Sequence, residues 1–161
     1  PVENQTSLTA LEVYAHSGDT LDLSRLTGLY SLRIWTPQGE PLAAETSAEL
    51  PGLRILDLFG GAAGPDALGF TERTPELGYL RLTAASGTDL APLSRLPRLR
   101  AVILDWDSPL DLTPLTACTS LEVCCLPTGS GASIPDGLPV TEGDTSAAFA
   151  IRAELAAEAQ S

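Results

Sequence analysis

Few residues in this chain have the types and spacing for chemistry. The only histidine, His16, stands beside Ser17 and Asp19, the three residue types of a nucleophilic triad. A triad is a geometry imposed by the fold, and sequence adjacency does not supply it. Three cysteines, Cys118, Cys124 and Cys125, lack the paired C-x-x-C spacing of a zinc site, and the histidine lies far from them in sequence. Without a nearby histidine, thiol catalysis has no general base. The stretch FGGAAG, Phe59 to Gly64, has neither the Lys-Ser/Thr of a Walker loop nor the spacing of a dinucleotide fingerprint. Asp105, Asp107 and Asp111 surround Trp106 in DWDSPLD and form an acidic patch that a hard cation such as calcium would suit. That patch lacks the terminal bidentate Glu of an EF-hand loop, and a solvated turn is the simpler reading. These residues predict a non-catalytic protein with no cofactor and no metal.

The charge balance narrows the partners. The chain has 161 residues, 43% of them hydrophobic, which suits one domain with a real core. It carries 21 acidic against 9 basic residues, a formal charge of -12. Such a surface repels phosphate backbones and anionic lipid, so the expected partner is another protein, with no nucleic acid and no membrane. A basic protein would be steered toward it, although acidity also serves solubility alone. An odd number of cysteines with one vicinal pair suits a reducing compartment, and a cytoplasmic location is expected. No apolar run is long enough to span a bilayer, and no leader of the signal-peptide kind is present. The chain begins PVENQT and holds no Met, which fits either removal of an initiator or a fragment of something longer.

The elements that would position any site emerge from internal repetition. The stretch from Thr88 to Leu104, TDLAPLSRLPRLRAVIL, is rewritten as LDLTPLTACTSLEVCCL from Leu110 to Leu126. Aligned on L-x-x-L-x-L, six lines begin at Leu8, Leu29, Leu53, Leu77, Leu99 and Leu121. Of the 18 patterned positions 17 are Leu, Ile or Val, and the exception is Cys124. The last two apolar residues of each line stand at i and i+2, the strand period, so both face one way. The residues that return the chain to the next line are too many for a hairpin, so the strands must run parallel. A unit this short cannot bury its own leucines; stacking the units builds one continuous core.

This pattern resembles a leucine-rich repeat protein over roughly Leu8 to Pro127. The returns DLAPLSRL, Asp89 to Leu96, and DLTPLTAC, Asp111 to Cys118, resemble the short bacterial, internalin-like type. The resemblance implies an α/β solenoid: about six parallel strands on a concave sheet, convex turns with short helices, and protein binding as its use. The chain departs from the family at the ninth repeat position, where Asn is usual. His16, Pro37, Gly61, Ala85, Asp107 and Gly129 stand there, and only Asp107 can imitate Asn. Looser turns follow, with Gly60, Gly61 and Gly129 supplying backbone freedom. The returns of repeats two and three, TPQGEPLAAETSAEL and GGAAGPDALGFTERTPE, are irregular and read as padding or variable loops.

The register then places side chains on the concave face. One file reads Glu12, Arg33, Asp57, Arg81, Ile103 and Cys125, its first four members alternating in sign within ion-pair reach. A neighbouring file begins Tyr14, Trp35 and Phe59, and the file on the other side includes Ile55 and Tyr79. Tyr14, Trp35, Phe59 and Tyr79 are therefore expected as binding anchors, with Glu12, Arg33, Asp57 and Arg81 setting register. The competing readings are a solvated charge ladder and rings covered by a loop or by the C-terminal helix.

Three segments follow from the pattern: a solenoid over 1–127, a Gly/Pro/Ser-rich loop over 128–144, and a helix over 145–161. The helix has a cap expected at Thr145 or Ser146 and apolar residues Phe149, Ile151, Ala153 and Leu155. It is expected to cover the open end of the solenoid or to connect to a further domain. The N-terminal edge strand has no evident cover, so a homodimer through an open sheet edge is also expected. The function expected is a non-catalytic protein-binding module acting through its concave face. Two alternatives remain: a small acidic inhibitor or immunity protein for a basic toxin or nuclease, and a sensor or structural domain of a larger signalling protein.

Overall fold

The computed structural model describes residues 7–16, 22–37, 49–63, 68–84, 87–106 and 110–159. Seven strands form one sheet in chain order: β1 (Ala10–Tyr14), β2 (Ser31–Trp35), β3 (Ile55–Ala63), β4 (Tyr79–Ala84), β5 (Ala101–Trp106), β6 (Val123–Leu126) and β7 (Val140–Glu142). All six pairings are parallel. One helix, α1 (Ser146–Glu158), follows. The fold is α/β, a single parallel sheet with a C-terminal helix, compatible with a solenoid. Here β7 adds a seventh strand to the expected six, inside the segment expected to be loop.

The returning segments show why the leucines recur. In three of them a short turn of helix places further apolar residues beneath the sheet: Gly69–Arg73, Ala91–Arg95 and Thr113–Ala117. The Asp that opens the return fixes this turn. Asp89 Oδ1 accepts the Ala91 N–H at 2.8 Å, and Asp111 Oδ1 accepts the Thr113 N–H at 2.9 Å. Asp22 does the same for Ser24 at 2.9 Å. Such Asx turns compete with regular structure where the chain must change direction. These bonds hold the Asp22 and Asp111 carboxyls below their ordinary range. The proline that follows, Pro92 or Pro114, suits the first helical residues, where no N–H is needed.

Between these turns and the sheet lies the main core. Leu32, Ile34, Leu56, Leu58, Leu80, Leu82, Val102 and Leu104 point inward from the strands. Leu90, Leu93, Leu96, Leu112 and Leu115 meet them from the turns. Each such leucine contributes about 1.5–3 kcal/mol on burial, offsetting the entropy of ordering an aperiodic return. Gly60 has φ +83, and a Cβ there would collide with the Thr36 carbonyl oxygen. Gly129 is also left-handed, at φ +67. Position 61 lies within β3, which runs on past the repeat pattern and loses register with β4 between Leu58 and Ala63. Asp107 and Ala85, two of the ninth-position residues, lie outside the described residues, as do residues 38–48, most of the return of repeat two.

The helix departs most from expectation. Rather than closing an end, α1 packs across β3, β4, β5 and β6 on the sheet face opposite the leucine core. Ala148, Ile151 and Leu155 are its buried residues, and Phe149 is 43% exposed. The small Ala148 lets the helix approach the sheet closely, while the bulk of Phe149 turns away. Its first N–H group is met by Asp144, whose Oδ1 accepts the Ser146 N–H at 2.8 Å. Thr145, expected to cap, makes no side-chain cap bond.

Candidate functional site

The register builds the outer face as expected. Glu12, Arg33, Asp57, Arg81, Ile103 and Cys125 are paired in sequence across β1 to β6. Tyr14 pairs with Trp35, and Trp35 with Phe59. The face is nevertheless two surfaces, because α1 covers only part of it.

Under the helix, a second apolar cluster joins Ile55, Tyr79, Ala101, Ile103, Val123 and Cys125 to Ala148, Ile151 and Leu155. Tyr79 is 0% exposed, so it belongs to this packing and does not stand as an exposed anchor. Burial, with the neighbouring Asp57 carboxylate second, pushes its hydroxyl pKa well above the ordinary tyrosine value. Asp57 is likewise 1% exposed and holds the helix instead of facing a partner. Its Oδ2 takes Arg152 Nη2 of α1 at 3.0 Å and Arg33 Nη2 at 3.4 Å. A buried carboxylate needs such partners, because desolvation alone would be costly. Further pairs fasten the helix: Arg100 with Glu154 at 3.0 Å, Arg54 with Glu158, and the Tyr30 hydroxyl donating to the Leu155 carbonyl. Sequence reasoning did not single out Arg152, Arg54, Arg100 or Tyr30. Its signal was weak, since a lone Arg in an alanine-rich helix reads as a solvated residue.

Beyond the helix, the Tyr14 and Trp35 rings lie open and Phe59 is half-buried beside them. Tyr14 and Trp35 stack at 6.3 Å between centroids, and Trp35 and Phe59 at 5.3 Å. Tyr14 is 75% exposed and Trp35 42%. Arg81 lies 4.5 Å over the Phe59 ring and Arg33 lies 5.7 Å from it, so a cation closes the inner end of the stack. The outer end, at Tyr14, coincides with the sheet edge. Arg33 also pairs with Glu12 at 3.3 Å, and Arg81 with Asp105 at 3.5 Å. The Nε atoms of Arg33 and Arg81 are buried without a hydrogen-bond partner, so both guanidinium groups are only partly satisfied. Beside this region a groove of about 240 Å³ runs between α1 and the first strands, lined by Ala10, Ser31, Ile55, Arg152 and Ala156 among others.

The remaining candidates for chemistry separate. His16 is exposed, whereas Ser17 and Asp19 lie outside the described residues. All three cysteines are free and buried. Burial raises the Cys118 thiol to about 11 and the Cys124 thiol to about 12, and also raises Cys125. Asp105 is engaged by Arg81 and Asp111 by the Thr113 amide, while Asp107 lies outside the described residues. Among the described residues no group of three or more His, Cys, Asp or Glu is placed to hold a metal ion. A second groove, about 430 Å³ at the N-terminal ends of the strands, has its arginines paired with glutamates: Arg54 and Arg98 with Glu76, Arg100 with Glu122. Among the described residues no helix is long and apolar enough to cross a membrane.

No family model matches this chain, and no curated protein matches it either.

Proposed function

We propose that this chain is a non-catalytic, protein-binding module of the leucine-rich repeat kind, resembling the short internalin-like type, and that it binds through the part of its concave face left open by α1. One observation carries the reading. A helix covers the Tyr79 side of the face, yet the stacked Tyr14, Trp35 and Phe59 remain outside its cover. A contiguous aromatic surface left in water is costly unless something uses it, and Tyr and Trp are favoured anchors at interfaces. Trp35 and Phe59 would be the anchors, with Tyr14 beside them, and Glu12, Arg33 and Arg81 would set register around the rings. Tyr79 and Asp57 support the surface from beneath the helix.

The charge of -12 favours a basic protein partner over nucleic acid or anionic membrane, and it keeps the inhibitor or immunity-protein reading as the second choice. The free, buried cysteines suit a reducing, cytoplasmic setting.

The test is capture from lysate of the source organism with the wild-type chain and with a Trp35→Ala, Phe59→Ala double variant shown to unfold cooperatively. The reading expects a protein held by the first and lost by the second. A protein held equally by both would place the binding site elsewhere.

A further inference from the structure

The two edges of the sheet are finished differently. At the β7 edge, Glu142 stands in register with Leu126, in a column that is otherwise apolar and inward. It is exposed and accepts the Ser130 hydroxyl at 2.8 Å, so a charge ends the leucine column there. A charge in an inward column is a known device against further strand pairing. At the β1 edge the corresponding residue is Val13, with Leu11 before it, and no charge stands in either inward column. Leu8, Leu11 and Val13 are only partly buried, whereas Leu32 and Ile34 one strand further in are 1% exposed. Among the described residues the core is therefore unfinished on that side. Among the described residues no strand pairs with the outer edge of β1.

The hydrogen-bonding groups of that edge can be assigned. Ala15 N–H bonds to Trp35 O at 2.8 Å, and Thr9 O accepts the Ser31 N–H at 3.0 Å, so odd-numbered peptide groups face β2. Successive peptide groups alternate sides, which turns those of Ala10, Glu12 and Tyr14 toward the open edge.

Each column also states what its next member should be. The charged file alternates Glu12, Arg33, Asp57, Arg81, so a cation belongs outside Glu12, which is half exposed. The ring stack is closed by Arg81 at Phe59 and open at Tyr14, so an aromatic or guanidinium group belongs outside Tyr14. Aliphatic side chains belong outside Leu11 and Val13. We propose that the outer edge of β1 receives one extended segment of a partner protein. That segment would run parallel to β1 with the pattern aliphatic, Lys or Arg, aliphatic, aromatic. It is the pattern of β2 itself, Leu32-Arg33-Ile34-Trp35, repeated on the other side of β1.

A second copy of this chain fits the edge poorly. Antiparallel self-pairing over all five residues sets Glu12 against Glu12, like charges directly opposite, and joins two chains of charge -12. Adding β7 of another copy would put Glu142 into an inward column. The inference goes beyond the face-binding reading, since it concerns the main-chain edge and not the rings of β2 and β3.

The experiment uses a synthetic peptide, YSLRIWT, copied from 30–36, added to the full chain. Amide hydrogen exchange is followed residue by residue by NMR. At saturation the exchange of the Glu12 and Tyr14 amides is expected to slow at least tenfold. A peptide with Glu for Arg should bind at least tenfold more weakly, and one N-methylated at alternate residues to block its edge donors should not bind. Unchanged exchange of both amides at millimolar peptide would overturn the proposal, as would equal binding of the N-methylated peptide. A dimer that the peptide does not dissociate would overturn it too, because the edge would then belong to a second copy. None of these failures touches the capture result with the Trp35→Ala, Phe59→Ala variant, so the two readings fail separately.

Discussion

The placement of α1 can be tested at one contact. A Cβ added at Gly78 would lie 2.9 Å from Leu155 Cδ1 and 3.3 Å from Cδ2, closer than packed carbons tolerate. Gly78 has no left-handed φ, so alanine is conformationally acceptable there. Without the helix, Gly78→Ala would stabilise the protein by about 0.4–1 kcal/mol through the unfolded chain. With the helix in place, Leu155 must shift, and overpacking a closed site costs about 1–3 kcal/mol. The net expectation for Gly78→Ala alone is a loss of about 0.5–2 kcal/mol. Leu155→Ala alone removes a side chain from a residue 5% exposed, at about 2–3 kcal/mol, the low end for leucine because only one helix covers it. In the Leu155→Ala background the clash is gone, and Gly78→Ala should regain its stabilising sign. Urea unfolding of the four proteins therefore predicts a coupling of about 1–2 kcal/mol. Additivity within about 0.3–0.5 kcal/mol, the range of independent sites, would refute the close Gly78–Leu155 contact.

Further outcomes follow from the same packing. Arg152→Ala leaves the buried Asp57 carboxylate with Arg33 alone and should cost about 1–3 kcal/mol in urea unfolding, below the usual loss for a broken buried pair because one partner remains. Arg152→Lys should recover only part of that, and full recovery would argue against the two-contact geometry. Stability should also fall at alkaline pH. Cys118 and Cys124 hold their protons to about 11 and about 12 in the folded state against 9.0 ordinarily, and Tyr79 is raised as well. Their contribution is complete below pH about 9 and is lost as pH rises through the folded values. Unfolding free energies that stay level across that interval would contradict the burial of these groups. Finally, partner binding should weaken steeply with salt, since 21 acidic residues face 9 basic ones, and a salt-independent affinity would exclude a basic partner.

The strand register was legible because leucine columns repeat at a fixed offset, and one slipped residue would have turned every column over. Hence Glu12, Arg33, Asp57 and Arg81 fall in one row, with Tyr14, Trp35 and Phe59 in the next. The cover over that face was not legible. Ala-rich AAFAIRAELAAE shows little contrast between its sides, and the sequence points to Phe149, Ile151, Ala153 and Leu155, whereas packing buries Ile151 and Leu155 with Ala148 and leaves Phe149 exposed. Which stripe is buried depends on how closely the backbone can approach the sheet, a tertiary quantity. Three residues, Val140–Glu142, are too few to show a period, so β7 was hidden within a Gly- and Pro-rich segment. Asp57 and Tyr79 were placed in the correct columns, and only the helix above them decided that they would be buried.

The most direct measurement is site-specific photo-crosslinking in lysate of the source organism. A photoreactive residue is placed at Tyr14, or in separate proteins at Phe149 and Ile134, which are exposed apolar residues away from the ring stack. The account predicts one protein joined to the chain from position 14 and not from 149 or 134. The same adduct arising from 149 or 134, with none from 14, would contradict it.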